Sequence, residues 1–120
     1  MQEYKILVVD DEEHTRVGYS EILKMGGHDV DMAADGMEGL AKATTKDYDI
    51  IITDLHMPKM NGVEFIEKLD AEGITSRKIV ITAFGSYKSY KKTSDHGAIQ
   101  YLNKPVRAAD LENALNSLES

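Results

Sequence analysis

The sequence predicts an α/β protein, a single doubly wound (βα)5 three-layer sandwich whose parallel sheet has the strand order 2-1-3-4-5. Five segments of strand character alternate with five of helical spacing, as in right-handed βαβ crossovers. Three strand segments, residues 4–9, 49–53 and 78–82, are apolar runs rich in branched residues and do not alternate with polar ones, which is typical of central strands covered on both faces. The other two, residues 29–32 and 99–103, alternate between polar and apolar residues, which is typical of edge strands.

Apolar residues at helical spacing place helices between these strands. The first helix carries Val17, Ile22 and Met25, the third Val63, Ile66 and Leu69, and the last Leu111, Ala114, Leu115 and Leu118. Residues typical of helix ends and turns flank these helices: Gly26-Gly27 after the first helix, Asn61-Gly62 before the third, Gly73 after it and Gly97 after the fourth.

Composition excludes several classes of protein. The 120 residues have the length of one domain, and no apolar run approaches the ~20 residues of a membrane span. The first residues lack a signal-peptide pattern, so we expect a soluble, cytoplasmic protein without a membrane partner. The absence of cysteine excludes disulfides and thiolate chemistry, and a net charge of −7 opposes nucleic-acid binding.

Reactive side chains follow the strands at one edge of the predicted sheet. Ligands of open α/β sheets bind beyond the carboxyl ends of the strands, next to the point where the strand order reverses, here between strands 1 and 3. Asp10-Asp11 follows strand 1, Asp54 follows strand 3, Thr82 ends strand 4, and strand 5 leads through Asn103 to Lys104-Pro105.

This set of side chains predicts phosphoryl chemistry. The carboxylates of Asp10, Asp11 and Asp54 would repel one another unless a cation neutralises them or one takes a proton. Oxygen ligands suit Mg²⁺ or Mn²⁺, while Lys104 offers a positive charge to an anion and Thr82 a hydroxyl donor. Asp54 is the candidate nucleophile, and its product would be an acyl phosphate.

Four runs of residues stand in order at these strand ends: Val8-Val9-Asp10-Asp11-Glu12, the run from Thr53 to Gly62, Thr82-Ala83, and Tyr101-Leu102-Asn103-Lys104-Pro105. Together they resemble the receiver domains of two-component response regulators, of the chemotaxis-regulator type. The match covers almost the whole chain, and four motifs in order are far more specific than any one of them. The resemblance implies a flavodoxin-like fold, one receiver domain over residues 1–120, and a signalling module rather than an enzyme.

The resemblance implies a role for each residue at the carboxylate cluster. Asp54 is the phosphoacceptor, and its donor is a phosphohistidine on a sensor histidine kinase or a histidine phosphotransferase. Asp11 and Asp54 bind Mg²⁺ together with the backbone carbonyl of His56, and Asp10 contributes through water. Lys104 pairs with the phosphoryl group.

The resemblance also implies how phosphorylation is sensed. Thr82 turns toward the phosphoryl group, and the small Ala83 lets its backbone amide approach. Tyr101 follows Thr82 through its rotamer and reports the phosphorylated state on the face of helix 4, strand 5 and helix 5. A downstream protein partner or output domain reads that face. The peptide bond between Lys104 and Pro105 is cis in the family.

His56 and Phe84 follow Asp54 and Thr82 by two residues, and the resemblance makes them the positions that tune the lifetime of the phosphoryl group. Phe84 would impede the attacking water, whereas His56 would either orient it or block it. Taken alone, His56 also admits a role as general base or metal ligand.

Each motif also has a purely structural interpretation. Asp10-Asp11 alone would be read as a helix N-cap, Asp54 as a turn residue, Thr82 as a strand residue and Lys104 as a surface residue. Only their joint arrangement makes them a site.

Helix 4 departs from the family pattern, which buries small aliphatic side chains there. Tyr87, Lys91 and Ser94 occupy the corresponding spacing, so we expect a weakly held helix. The basic and aromatic residues of this segment form either a solvated face or a partner surface: Lys88, Lys91, Lys92, Tyr87 and Tyr90.

Three other functions fit the sequence less well. A magnesium-dependent phosphohydrolase of the aspartyl-phosphate type would carry a second Asp where this chain has His56, and a cap insertion for which 120 residues leave no room. A receiver-like module that is never phosphorylated would not need the complete residue set. A nucleotide-binding flavodoxin-like protein would carry a glycine-rich loop after strand 1.

Overall fold

The computed structural model describes residues 3–83 and 87–119, and over these residues five strands alternate with five α-helices. The strands are β1 Lys5–Val9, β2 Asp29–Ala33, β3 Ile50–Asp54, β4 Arg77–Thr82 and β5 Ala98–Asn103. The helices are α1 Glu13–Met25, α2 Gly36–Thr45, α3 Gly62–Ala71, α4 Tyr87–Ser94 and α5 Ala108–Asn116, followed by a short 3-10 helix at Ser117–Glu119.

The sheet is parallel with the order β2-β1-β3-β4-β5, which confirms the predicted fold class and strand order. In register, Val9 pairs with Thr53 across the central β1–β3 pair, and Thr82 pairs with Asn103 across β4 and β5. The carboxyl ends of these four strands therefore reach the same edge of the sheet. The order reverses between β1 and β3, as predicted.

Both faces of the sheet are covered, which explains the continuous apolar runs. On one face, Ile6, Ile52 and other strand residues pack with α1 and α5, whose Leu111 is almost fully buried. On the other face, Leu7 and Val9 pack with residues of α2 and α3. Each buried aliphatic side chain contributes roughly 1.5–3 kcal/mol relative to exposure, so the central strands stabilise the position of the strand ends.

The inner face of α1 differs in part from the predicted stripe of Val17, Ile22 and Met25, of which Ile22 is partly buried and packs against the core. The buried residues are Tyr19, Ser20 and Leu23, whereas Met25 is 88% exposed. Met25 lies two residues beyond Leu23, about 200° around the helix, and so points away from the sheet. The expected stripes of the other helices are confirmed in their main residues, which are Ile66 and Leu69 in α3 and Leu111, Ala114 and Leu115 in α5.

The expected helix ends are confirmed as well. Gly27, Gly73 and Gly97 follow α1, α3 and α4 with φ angles of 91°, 74° and 93°. These values lie in the left-handed region that side chains disfavour, and a helix commonly ends there.

Helix α4 is oriented differently from the expectation. Of its side chains at positions 91–94, Thr93 is fully buried, while Lys91 and Ser94 are exposed. A hydrogen bond between Thr93 Oγ1 and Tyr101 Oη, 2.7 Å long, joins the helix to β5. The side chains of Tyr87, Lys88 and Tyr90 lie outside those that the structure describes.

None of the helices within the described residues combines the length and the apolar character needed to cross a membrane.

Ser20 supplies a test of the packing between α1 and the sheet. Among the described residues, its Oγ is the buried side-chain polar atom that lacks a hydrogen-bond partner. Because a buried unpaired hydroxyl costs free energy and alanine favours helices, we expect Ser20→Ala to raise the free energy of unfolding by about 1 kcal/mol. Urea denaturation measures this change. The exposed Ser94→Ala serves as the control, with a gain of less than about 0.5 kcal/mol, and destabilisation by Ser20→Ala would contradict the packing described.

Candidate functional site

Four strand ends bring polar side chains to the carboxyl edge of the sheet. Asp10 follows β1, Asp54 ends β3 and Thr82 ends β4; they are 2%, 6% and 0% exposed, respectively. Asp11, next to Asp10, is exposed, and Lys104 follows β5 and is partly buried. The structure thus brings the residues predicted from four separate motifs to one place.

Lys104 connects the two buried carboxylates. Its Nζ lies 2.7 Å from Asp54 Oδ2 and 3.3 Å from Asp10 Oδ2. One carboxylate oxygen each from Asp10, Asp11 and Asp54 lies within 4.8 Å of the others, which makes them the candidate metal group among the described residues. Three carboxylates and one ammonium leave a local charge of about −2 when all are ionised, which a divalent cation would neutralise.

Backbone amides hold the other oxygens of the two buried carboxylates. The amide of Glu12 donates to Asp10 Oδ1 at 2.9 Å, and the amide of His56 donates to Asp54 Oδ1 at 3.0 Å. Each buried carboxylate is therefore fixed at one oxygen by an amide and at the other by Lys104. This arrangement orients both groups before any ligand binds.

The interpretation of Asp10-Asp11 as the helix N-cap is wrong. The N-cap of α1 is Glu12, whose carboxylate accepts from the amides of His14 and Thr15 at 3.2 and 2.8 Å. Because Glu12 caps the helix, the carboxylates of Asp10 and Asp11 remain at the edge of the sheet.

Burial and charge shift two pKa values at the site. Burial raises the pKa of the Asp10 carboxyl above its usual value; the charge of Asp54 also raises it, whereas the Glu12 amide and Lys104 lower it. Burial lowers the pKa of Lys104, but its hydrogen bond to Asp54 and the charges of both carboxylates outweigh this effect, so the pKa is raised. Lys104 therefore stays charged at neutral pH.

Gly62 allows α3 to begin close to Asp54. A Cβ at this position would lie 2.2 Å from the backbone oxygen of Asp54 and 2.6 Å from Leu55 Cα. The Gly62 amide donates to the Leu55 carbonyl at 2.8 Å, and Asn61 caps α3 by accepting from the Glu64 amide. The sequence marked Asn61-Gly62 as a loop signal but did not indicate that any side chain at residue 62 would collide with the site.

Sequence reasoning also missed Arg16. Its Nη1 donates to the backbone carbonyl of Asp10 at 2.7 Å and so holds the segment after β1. A signal was available, because a cation near the N-terminus of a helix is unfavourable for the helix dipole and indicates a specific partner.

The other predicted site residues lie around this centre. The side chain of His56 is exposed, and Ala83, which follows β4, is exposed as well. Tyr101 is partly buried and packs against the apolar cluster of Leu55, Ile66 and Val80. Phe84 lies outside the described residues. The Lys104–Pro105 peptide bond is cis, as the resemblance implies.

The donor set fits a hard divalent cation. Carboxylate oxygens are the ligands that Mg²⁺ prefers, and it usually keeps several waters and leaves room for a phosphate oxygen. Asp11 and Asp54 provide such oxygens near the ammonium of Lys104 and the hydroxyl-bearing Thr82. The arrangement can therefore bind a cation and a phosphoryl group side by side.

Comparisons with known proteins agree with this geometry. The family model described as the response regulator receiver domain matches residues 6–116. The chain is 27% identical over 115 residues to sporulation initiation phosphotransferase F of Bacillus subtilis, covering 96% of this chain and 93% of that protein. It is 35% identical over 107 residues to the transcriptional regulatory protein CusR of Escherichia coli, covering 89% of this chain but 47% of that protein. The chain thus spans nearly all of the first relative and about half of the second.

Two solved structures show the same fold. A CheY-like response regulator receiver domain protein from Methanospirillum hungatei is 30% identical, with a TM-score of 0.91, covering 98% of this chain and 94% of that chain. The response regulator TrrA from Thermotoga maritima, solved in complex with Mg²⁺ and BeF, is 31% identical, with a TM-score of 0.84, covering 95% of this chain and 97% of that chain.

Removing the ammonium from the site tests its electrostatics. We expect Lys104→Met to lower the free energy of unfolding by about 2 kcal/mol at pH 7 without metal, because two buried carboxylates lose their cation. Since the folded protein already binds a proton at Asp10 more tightly than the unfolded chain does, stability should recover as the pH falls toward 5. Denaturant titrations between pH 5 and 8 measure this.

The control is Lys46→Met, which breaks the more exposed pair of Lys46 with Asp31. It should cost less than about 1 kcal/mol. Because the pKa of Asp31 is lowered in the folded protein, chiefly by hydrogen bonds from Tyr48 and Lys46, acidification should not favour the folded protein there. Equal, pH-independent losses in the two variants would contradict the central role of Lys104.

Proposed function

Because this chain belongs to the response regulator receiver family, we propose that it is a phosphoacceptor that receives a phosphoryl group on Asp54 from a phosphohistidine. Receiver domains are signalling modules of two-component systems, and the donor would be a sensor histidine kinase or a histidine phosphotransferase. The proposal rests on the position and contacts of the Asp54 carboxylate. It is buried at the end of β3, held by the His56 amide and Lys104, next to the carboxylates of Asp10 and Asp11.

The transfer step uses Asp54 as the nucleophile. A carboxylate oxygen forms a bond to phosphorus as the phosphorus–nitrogen bond of the donor breaks, and the electron pair leaves with the donor imidazole, which is protonated by solvent. The His56 amide keeps the carboxylate in its orientation. Lys104 moves from neutralising the free carboxylate to neutralising the phosphoryl oxygens. Thr82 and the backbone amide of Ala83 donate to the same oxygens.

Asp11, Asp54 and the backbone carbonyl of His56 would hold the metal ion, Mg²⁺ or in its place Mn²⁺. When bound, the cation supplies positive charge to the carboxylate and phosphoryl oxygens. Asp10, whose carboxylate lies in the same group as those of Asp11 and Asp54, would contribute through water, as the resemblance implies. Asp11 is exposed, which supports its role as a direct ligand.

The signal would pass from Thr82 to Tyr101 and to the face formed by α4, β5 and α5. In support of this route, Tyr101 pairs with Val80 across β4 and β5, two residues from Thr82 along β4. A protein partner or an output domain in the cytoplasm would read this face without direct nucleic-acid contact by this domain. His56, and Phe84 outside the described residues, would tune the phosphoryl lifetime.

Phosphorylation by a small donor tests the acceptor. We expect acetyl phosphate with Mg²⁺ to add one hydroxylamine-labile phosphoryl group, because an acyl phosphate is an anhydride that amines attack. Peptide mass spectrometry should place it on Asp54, and Asp54→Asn should abolish it. The matched control is the exposed Asp47→Asn, which removes the same charge and should label like the parent. Equal labelling of Asp54→Asn, or steady turnover of p-nitrophenyl phosphate by the parent, would overturn the assignment.

Metal binding should stabilise the fold through Asp11. At a Mg²⁺ concentration 100 times its dissociation constant, we expect the parent to gain about 2.7 kcal/mol. Asp11→Ala should melt slightly higher than the parent without metal, because it relieves repulsion within the cluster, and should lose most of the gain from Mg²⁺. Thermal melts with increasing Mg²⁺ measure both effects.

Glu13→Ala is the control for this measurement, since Glu13 is an exposed carboxylate two residues away, in the first turn of α1. It should keep the full response to Mg²⁺. A variant Asp11→Ala that melts far below the parent without metal and responds normally to Mg²⁺ would make Asp11 a structural residue.

A further inference from the structure

Helix α4 is joined to the sheet by a polar contact rather than by an aliphatic one in the part whose side chains are described. Lys91, Lys92 and Ser94 are exposed, and Thr93 is fully buried. Thr93 Oγ1 lies 2.7 Å from Tyr101 Oη, a good hydrogen-bond distance for two hydroxyl groups. The buried Thr93 side chain and its hydrogen bond to Tyr101 therefore help to hold this turn of the helix over β5.

Tyr101 extends this contact toward the site. The phenol ring packs against the cluster of Leu55, Ile66 and Val80, and Tyr101 pairs with Val80 in the β4–β5 ladder. Side chains two residues apart on a strand share a face, so Thr82 lies next along β4 on the face that the ring covers. The backbone carbonyl of Thr82 accepts from the Lys104 amide at 3.1 Å, and Lys104 Nζ contacts Asp54.

We propose that Thr93 is a positioning residue: its hydroxyl holds the phenol of Tyr101 beneath α4 and thereby couples the position of α4 to the occupancy of the Asp54 site. This inference rests on the proposed function, because the coupling requires a phosphoryl site at Asp54. It assigns to α4 a specific connection to β5, the hydrogen bond between Thr93 and Tyr101, which composition alone did not indicate.

The physical reason is the cost of breaking a hydrogen bond in a closed environment. If the ring of Tyr101 turned outward, its bond to the fully buried Thr93 would be lost where water cannot readily replace it. The bond thus favours the ring position in which Tyr101 packs against Leu55, Ile66 and Val80, on the face of β4 to which Thr82 also belongs. Thr93 therefore favours the arrangement in which Thr82 faces the phosphoryl position. Because coupling between two sites is reciprocal, a bound phosphoryl group would in turn stabilise the packing of α4 against β5.

Beryllofluoride, which mimics a phosphoryl group on a carboxylate, provides the test. With saturating Mg²⁺, its affinity is measured by NMR titration for the parent, Thr93→Val, Thr93→Ser, Tyr101→Phe and the double variant Thr93→Val/Tyr101→Phe. We expect Thr93→Val, which keeps the shape and removes the hydroxyl, to weaken binding roughly threefold to tenfold. Tyr101→Phe should weaken it equally, and the double variant no further, since both remove one bond. Thr93→Ser should restore the parent affinity.

Two further readouts separate positioning from general stability. Amide exchange in α4 should be faster in Thr93→Val, and beryllofluoride should protect α4 in the parent and in Thr93→Ser but not in Thr93→Val. Thr44→Val, which removes an exposed hydroxyl on α2, should change none of these values.

The following outcomes would overturn the inference. Parent affinity and parent exchange in Thr93→Val overturn the inference, and so do effects of the two single variants that multiply in the double variant. If Thr93→Val does not fold, beryllofluoride affinity is compared between Thr93→Ser and Tyr101→Phe instead, and equal affinity in these two variants overturns the inference. A parent protein that binds no beryllofluoride contradicts the proposed function, and the inference with it; a parent that binds normally while Thr93 has no effect contradicts the inference alone.

Discussion

The arrangement of the site depends on the ion pairs of Lys104 with Asp54 and Asp10. Two carboxylates that are almost completely buried lie at the ends of neighbouring strands, and without a cation their burial would be costly. Lys104 meets this need in the resting protein, because β5 ends opposite β4 and brings the lysine across the edge of the sheet. The same ammonium already lies where the proposed function needs a positive charge for the phosphoryl oxygens.

The rest of the fold serves to hold this edge in place. Strands β1 and β3 are buried on both faces, so the positions of Asp10 and Asp54 are set by the apolar core rather than by flexible loops. Glu12 caps α1 and Gly62 lets α3 begin close to the Asp54 backbone; the amides that orient the two carboxylates come from Glu12 and His56. By contrast, α4 has little apolar surface among its described side chains. A hydrogen bond between Thr93 and Tyr101 connects it to β5, and we infer that α4 is the element whose position a change at the site alters most easily.

The sequence predicted the parts of this structure that rest on hydrophobic pattern and topology. Continuous apolar runs identify strands buried on both faces, and they led to the strand order and to the meeting of Asp10, Asp11, Asp54, Thr82 and Lys104. What it did not predict depends on close contacts. Apolar character alone places Met25 in the buried stripe of α1, but it does not determine how the helix is rotated about its axis. In the structure the polar Ser20 lies on the buried face and Met25 is exposed. The roles of Arg16, Gly62 and Thr93 depend on which atoms approach them, and spacing along the chain does not contain that information.

In the proposed function, the Asp54 carboxylate attacks phosphorus and displaces a nitrogen leaving group. Phosphoramidate carries such a phosphorus–nitrogen bond without a partner protein, and ³¹P NMR of the protein with phosphoramidate and Mg²⁺ tests the claim most directly. We expect one new resonance with the chemical shift of an acyl phosphate, which does not form when Mg²⁺ is left out and is absent in Asp54→Asn. A resonance that persists in Asp54→Asn, or one with the shift of a phosphohistidine, would contradict it.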